Sequence, residues 1–134
     1  KIKINFNQNQ LSFSDSQLNF KDKALIELID GDFVSNKDNQ FFVGELEINI
    51  SDINEIYRFF LTRKELRKEI KKINIAFKYD LNSDILNLKR ININDDSNDR
   101  IQSFIDDFNI QNINIKSRIV LRNLFNNLME YYSG

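Results

Sequence analysis

The side chains able to do chemistry in this chain are carboxylates, amines, guanidinia, phenols and hydroxyls, because its 134 residues contain no His and no Cys. Their absence removes Ser-His-Asp and Cys-His nucleophilic centres, thiolate chemistry, structural zinc and iron–sulfur clusters. The carboxylates concentrate at Asp95, Asp96, Asp99, Asp106 and Asp107. Asp95, Ser97, Asp99 and Asp106 match positions 1, 3, 5 and 12 of a calcium loop, but Arg100 stands where that loop needs Gly, and Asp106 is shorter than the bidentate Glu. The segment reads instead as a helix start, where the helix dipole favours acids. Asp80, Asn82 and Asp84 read as a hairpin loop. Asp30 with Asp32, and Asp106 with Asp107, are close in sequence, which does not by itself make an acid–base dyad. Gly31, Gly44 and Gly134 fit neither a phosphate loop nor a dinucleotide fingerprint. No catalytic residue, metal site or cofactor is expected, and the chain is not expected to be an enzyme.

The strongest charge feature is Arg58, Arg63, Lys64, Arg67, Lys68, Lys71 and Lys72 against Glu65 and Glu69, a local excess of five positive charges. Two readings stand. The run is a solvated helix face with acid–base pairs at i+3, or it is a surface for phosphate, meaning lipid headgroups or nucleic acid. An acidic remainder and the lack of aromatics within the run weigh against nucleic acid.

These residues need elements to position them. In the first fifty residues Ile2, Ile4 and Phe6, Leu11 and Phe13, and Leu18 and Phe20 alternate with polar neighbours, as half-buried strands do. Ala24 to Asp30 is more continuously apolar, Asp30-Gly31 signals a turn, and residues 35–39 a looser loop. From Phe41 to Ile50 the alternation sets Leu46, Ile48 and Ile50 opposite Glu45, Glu47 and Asn49. The period then changes. Asp52 with Glu55 has the spacing of a capping box ahead of a helix carrying Ile53, Ile56, Tyr57 and Phe60. Thr62 with Glu65, followed by Leu66 and Ile70, predicts a second short helix. Ile73, Ile75, Phe77 and Tyr79 share a strand face, and Asp80 to Asp84 turns into a partner strand over Ile85 to Ile93. Asp95 to Asn98 starts a helix with Ile101, Phe104, Ile105 and Phe108 on one side. Residues 116–132 then place Leu121, Leu124, Phe125, Leu128 and Tyr132 on one stripe, with Gly134 just past its end. The fold class is therefore α+β: a curved, mostly antiparallel β-sheet with short inserted helices and a C-terminal amphipathic helix.

Composition bounds the rest. With 19 basic and 20 acidic residues the formal charge is −1, and 41% hydrophobic content is too apolar for a disordered chain even at a mean hydropathy of −0.47. One domain over residues 1–134 is expected. No stretch approaches a membrane span. The first residue is Lys1 and Met129 is the sole Met, so the chain reads as a segment of something longer.

The text from Asn54 to Ile73, NEIYRFFLTRKELRKEIKKI, resembles a passage in the C-terminal part of AsmA-like proteins from A/T-rich alphaproteobacteria. There a strand leads into a short helix with paired aromatics, then a Thr and a Lys/Arg run, then a strand of the INIAFKYDL kind. The strand Phe41 to Ile50, the hairpin Ile73 to Ile93 and the ending RNLFNNLMEYYSG are similar to the same region, so the resemblance spans roughly residues 40–134. AsmA-like proteins, including TamB-like and YhdP-like members, are anchored in the bacterial inner membrane by one N-terminal helix. They extend a β-sheet groove through the periplasm and are implicated in phospholipid transport and outer-membrane assembly.

The resemblance implies a non-enzymatic C-terminal segment involved in phospholipid transfer or outer-membrane biogenesis, periplasmic and attached through an N-terminal helix outside residues 1–134. It would work through an apolar sheet groove in which Leu46, Ile48, Ile50, Ile73, Ile75, Phe77 and Tyr79 contact acyl chains. Arg63, Lys64, Arg67, Lys68, Lys71 and Lys72 would meet headgroups or an anionic surface. Its partners would be phospholipid or a membrane surface, and envelope proteins, with no nucleic acid. The alternative is a protein-interaction or scaffold module whose strands are an ordinary closed core.

Overall fold

The computed structural model describes the backbone of residues 3–7, 10–14 and 16–133 and the side chains of residues 17–133. The expected placements of the Ile2, Ile4, Phe6, Leu11 and Phe13 side chains and of Gly134 lie outside the described residues. Among the described residues seven strands form one antiparallel sheet: β1 (Lys3–Asn7), β2 (Gln10–Ser14), β3 (Ser16–Phe20), β4 (Ala24–Ser35), β5 (Gln40–Ile50), β6 (Lys72–Asp80) and β7 (Ile85–Ile93). The order is β1-β2-β4-β5-β6-β7, and β3 pairs with the first half of β4 where β2 pairs with the second. Helices α1 (Ile53–Phe59), α2 (Asp99–Ile110) and α3 (Arg118–Ser133) complete an α+β fold with a curved, open sheet, as the period changes predict.

The expected turn at Asp30-Gly31 is not one. β4 runs through it, and the register with β5 shifts between Leu28 and Asp30, a bulge that leaves Ile29 without a cross-strand mate there. Gly31 is required by close approach: it faces Gly44 across the strands, and a Cβ added to it would sit 2.6 Å from Phe42 Cζ. The ring of Phe42 occupies the space that a larger residue would fill. β7 carries a comparable irregularity opposite Ala76 and Phe77, where Lys89 is the extra residue.

The second short helix is reduced to a 3-10 turn at Lys64–Leu66, although the text KELRKEIKK is rich in helix formers. Distant side chains take the backbone groups a helix would use. Tyr57 Oη accepts from the Lys68 N–H at 2.9 Å and donates to the Lys68 carbonyl at 2.5 Å. Asn126 Nδ2 donates to the Phe60 carbonyl at 2.9 Å and Oδ1 accepts from the buried Thr62 hydroxyl at 2.6 Å, while Ser133 Oγ donates to the Leu66 carbonyl at 2.5 Å. The segment is wound onto α1 and α3 and pins them together. Burial of the Tyr57 phenol raises its pKa, so this link stays protonated at neutral pH.

Asn98 caps α2 by accepting from the Ile101 N–H at 3.0 Å, and α2 buries Ile101, Phe104, Ile105 and Phe108 against β7 as its spacing predicts. α3 packs on α2 and buries Leu128 and Met129. Its first turns do not join the core: Leu121, expected on the buried stripe, is 42% exposed. Asp52 caps α1 through the Asn54 N–H at 3.0 Å, but Glu55 pairs with Arg58 rather than closing a capping box.

Asn109, at the end of α2, ties that helix to the sheet with two bonds to one residue. Its Nδ2 donates to the Leu88 carbonyl and its Oδ1 accepts from the Leu88 N–H, each at 2.8 Å. Beyond α2, the Ile113 carbonyl accepts from the Leu86 N–H at 3.2 Å. Asn109→Ala is expected to leave the peptide groups of Leu88 without these partners and to lower unfolding stability by about 1–3 kcal/mol. Urea denaturation followed by far-UV circular dichroism measures it, and an unchanged midpoint would show that the pair contributes nothing net.

Candidate functional site

Among the described side chains, cross-strand register assembles one apolar face over β3 to β7. Leu18, Ile26, Ile48, Ile73 and Ile93 form one row across β3, β4, β5, β6 and β7. Leu28, Leu46, Ile75 and Ile91 form the next. A third passes through Gly31, Gly44, Phe77 and Leu88, and a fourth through Phe33, Phe42, Tyr79 and Leu86. The rings in the last two rows touch, with centroids 5.1 Å apart for Phe33 and Phe42 and 5.9 Å for Phe42 and Phe77. Such ring pairs add about 0.5–1.5 kcal/mol beyond area burial.

The helices cover only part of this face. Along the first row exposure falls from 64% at Leu18, through half-buried Ile26 and Ile48, to 4% at Ile73 and 0% at Ile93. Ile26, Leu28, Phe33, Phe42 and Leu46 are half-buried and lie outside the cluster sealed by α2 and α3. Of the seven candidate acyl-contact residues, Ile50 and Ile73 are buried in that cluster, while Ile48, Ile75 and Phe77 border it. Leu46 and Tyr79 are half-buried outside it. Sequence reasoning did not place Leu18, Ile26, Leu28, Phe33 and Phe42 on the same face. Phe42 is joined to Leu46 by the alternation within β5, but for Leu18, Ile26, Leu28 and Phe33 no signal does so without the register between strands.

The opposite face is charged. Glu47 pairs with Lys72 at 3.4 Å, Glu45 with Arg90 at 2.9 Å, and Lys78 Nζ lies 4.0 Å from the centroid of the Phe41 ring. Hydration of these groups suits this face to water and leaves the other as the apolar surface.

The six candidate headgroup residues divide. Arg63 pairs with Glu130 at 3.2 Å and Glu65 at 3.5 Å, and Arg67 donates twice to the Thr62 carbonyl, at 2.8 and 3.0 Å, with its guanidinium 5.7 Å from the Tyr57 ring centroid. Lys72 bridges Asp95 at 3.1 Å and Glu47, and these two carboxylates, Asp95 foremost, raise its pKa. Lys64, Lys68 and Lys71 are exposed and form no ion pair among the described residues. The acidic candidates do not converge. Asp95 pairs with Lys72, Asp106 accepts from Gln102 at 3.0 Å, Asp107 accepts from Tyr131, and no group of three acidic side chains suited to a metal ion occurs among the described residues.

In comparisons with family models, curated proteins and solved structures, nothing matches this chain. Among the described residues no helix is long and apolar enough to cross a membrane.

One polar anchor closes the hairpin end of the apolar face. Tyr79 Oη donates to Asp84 Oδ1 at 2.5 Å, and Lys116 Nζ lies 2.9 Å from Asp84 Oδ2. The phenol first, then the ammonium, lowers the Asp84 pKa, and the same bond raises that of Tyr79. A lowered carboxyl pKa stabilises the fold above its unfolded value, about 3.9, and that contribution is lost as pH falls through the folded value. Asp84→Asn is therefore expected to melt below wild type at pH 7 and to converge with it in strong acid. Thermal scans across this range measure the difference, and a gap independent of pH would exclude the carboxylate as its source.

Proposed function

We propose that this chain is a non-enzymatic module that holds acyl chains on the uncovered part of its apolar sheet face. It acts as a segment of an AsmA-like envelope protein in phospholipid transfer or outer-membrane biogenesis. The carrying observation is the exposure gradient along the row from Leu18 to Ile93: the apolar pattern continues where the helices stop. An uncovered row of this kind is uncommon on a monomer unless something binds there. The periplasmic setting and the attachment to the inner membrane belong to the same proposal and rest on the sequence resemblance.

The lysines free of ion pairs, Lys64, Lys68 and Lys71, are the members of the basic run best suited to headgroup phosphates. Arg63, Arg67 and Lys72 hold the fold instead.

Binding of a fluorescent long-chain fatty acid, and lipid carried through purification and identified by mass spectrometry, test the reading. Ile26→Asp and Leu28→Asp are expected to weaken acyl binding at least about tenfold with the far-UV spectrum retained, because both positions are half-open. Val43→Asp, on the opposite face, is the control and leaves binding unchanged. Absence of acyl binding by the folded wild-type chain would overturn the proposal and favour a protein-interaction module.

A further inference from the structure

A second surface lies outside the strands and shares only Arg58 with the basic run noted in the sequence. The turn after α1 and the start of α3 enclose a shallow hollow of about 370 Å³ bordered by Arg58, Phe59, Leu61, Arg118, Ile119 and Arg122. Leu61 is 69% exposed and Ile119 61%. Three guanidinium groups thus surround two of the four most exposed aliphatic side chains among the described residues.

Core packing does not account for the exposure of Leu61 and Ile119, nor ion pairing for Arg118 and Arg122. Leu61 has a φ of 54°, the left-handed conformation that closes the end of α1 with the Thr62 N–H donating to the Tyr57 carbonyl at 2.9 Å, and a non-glycine residue adopts it at a cost of about 1–3 kcal/mol. At 69% exposure Leu61 gains little packing in return. Arg118 and Arg122 lie in the first turns of α3, which has no acidic residue in its first turn. There the helix dipole opposes positive charge. Arg118 and Arg122 form no ion pair among the described residues, and the Arg118 guanidinium is stacked 4.2 Å from the centroid of Phe59. Arg58 pairs with Glu55 at 2.6 Å.

We propose that this patch docks the protein on an anionic lipid bilayer, with Leu61 and Ile119 entering the interface and Arg58, Arg118 and Arg122 meeting headgroup phosphates. The charge complementarity is direct: arginines bind phosphate well, and their apolar stems accommodate the boundary between headgroup and acyl region. The patch also has a defined place against the sheet. The Phe59 ring beneath Arg118 meets the Phe20 ring edge-on at 5.2 Å, and Phe20 stands in register with Ala24 at the end of the apolar sheet face. Ala24 is in the sealed cluster and Phe20 packs against it, so the patch adjoins the covered end of the sheet, and docking does not require the uncovered face to hold lipid.

Flotation with vesicles of phosphatidylcholine containing a minority of phosphatidylglycerol, compared with phosphatidylcholine alone, tests the inference. Wild type is expected to float with the anionic vesicles only and to be released as salt rises. Arg118→Gln and Arg122→Gln should each weaken binding about fivefold. Leu61→Asn should weaken it several-fold while melting no lower than wild type, because Asn tolerates the left-handed backbone better. Failure of wild type to float, equal binding to both vesicles, or unchanged binding by both arginine variants would overturn the proposal. So would retention by an immobilised acidic peptide without flotation, which would identify a protein partner instead. Flotation without fatty-acid binding would overturn the acyl-holding function alone. Fatty-acid binding without flotation would overturn docking alone.

Discussion

The width of a helix relative to a strand constrains everything else in this molecule. A helix with its side chains is roughly 10–12 Å across, whereas neighbouring strands lie about 4.8 Å apart. One helix therefore shields about two strands. α2 lies on β7, and α3 packs on α2 and the 3-10 turn instead of spreading over β4 and β5. An apolar face that spans the sheet thus meets a cover that does not. The cluster of Ile73, Ile91 and Ile93 with Ile101, Phe104 and Met129 is sealed, while Ile26, Leu28 and Leu46 continue the same pattern beyond the seal.

The placement of the cover depends on polar links at the helix ends. Asn109 fixes the end of α2 to Leu88, and Asn126 and Ser133 hold the 60–66 segment against α3. Tyr57 does the same from α1 through both backbone groups of Lys68. These bonds have directional requirements that apolar packing lacks. They hold α3 beside α2 and turn its first residues, Arg118 and Ile119, toward the end of α1.

Much of the fold was legible in the sequence because its signals were local. The hairpin from Lys72 to Ile93 needed only period-two alternation and a turn, and α2 needed Asn98 ahead of Ile101, Phe104, Ile105 and Phe108. The failures involve distant partners. KELRKEIKK favours a helix in isolation, but side chains as far away as Asn126 and Ser133 occupy its surroundings. Asp30-Gly31 resembles a turn until Gly44 and the Phe42 ring are placed beside it. The apolar candidates shared a face as expected, but which of them were open depended on where α2 lay. Arg58 and Arg122 are 64 positions apart, so no window along the chain could show that they border one hollow.

The two hydrogen bonds from Asn109 to Leu88 also give the sheet a direction of growth. An exposed β-strand edge offers alternating donors and acceptors that any extended peptide can match, which is how sheets lengthen and how they aggregate. Along β7 that template is already occupied: Leu86 is bonded to Ile113, Leu88 to the amide of Asn109, and Ile93 to Asp96. A side-chain amide reproduces the pattern of a peptide group but carries no chain onward. At these positions β7 is therefore closed to strand pairing, so lengthening of the sheet along this edge is obstructed.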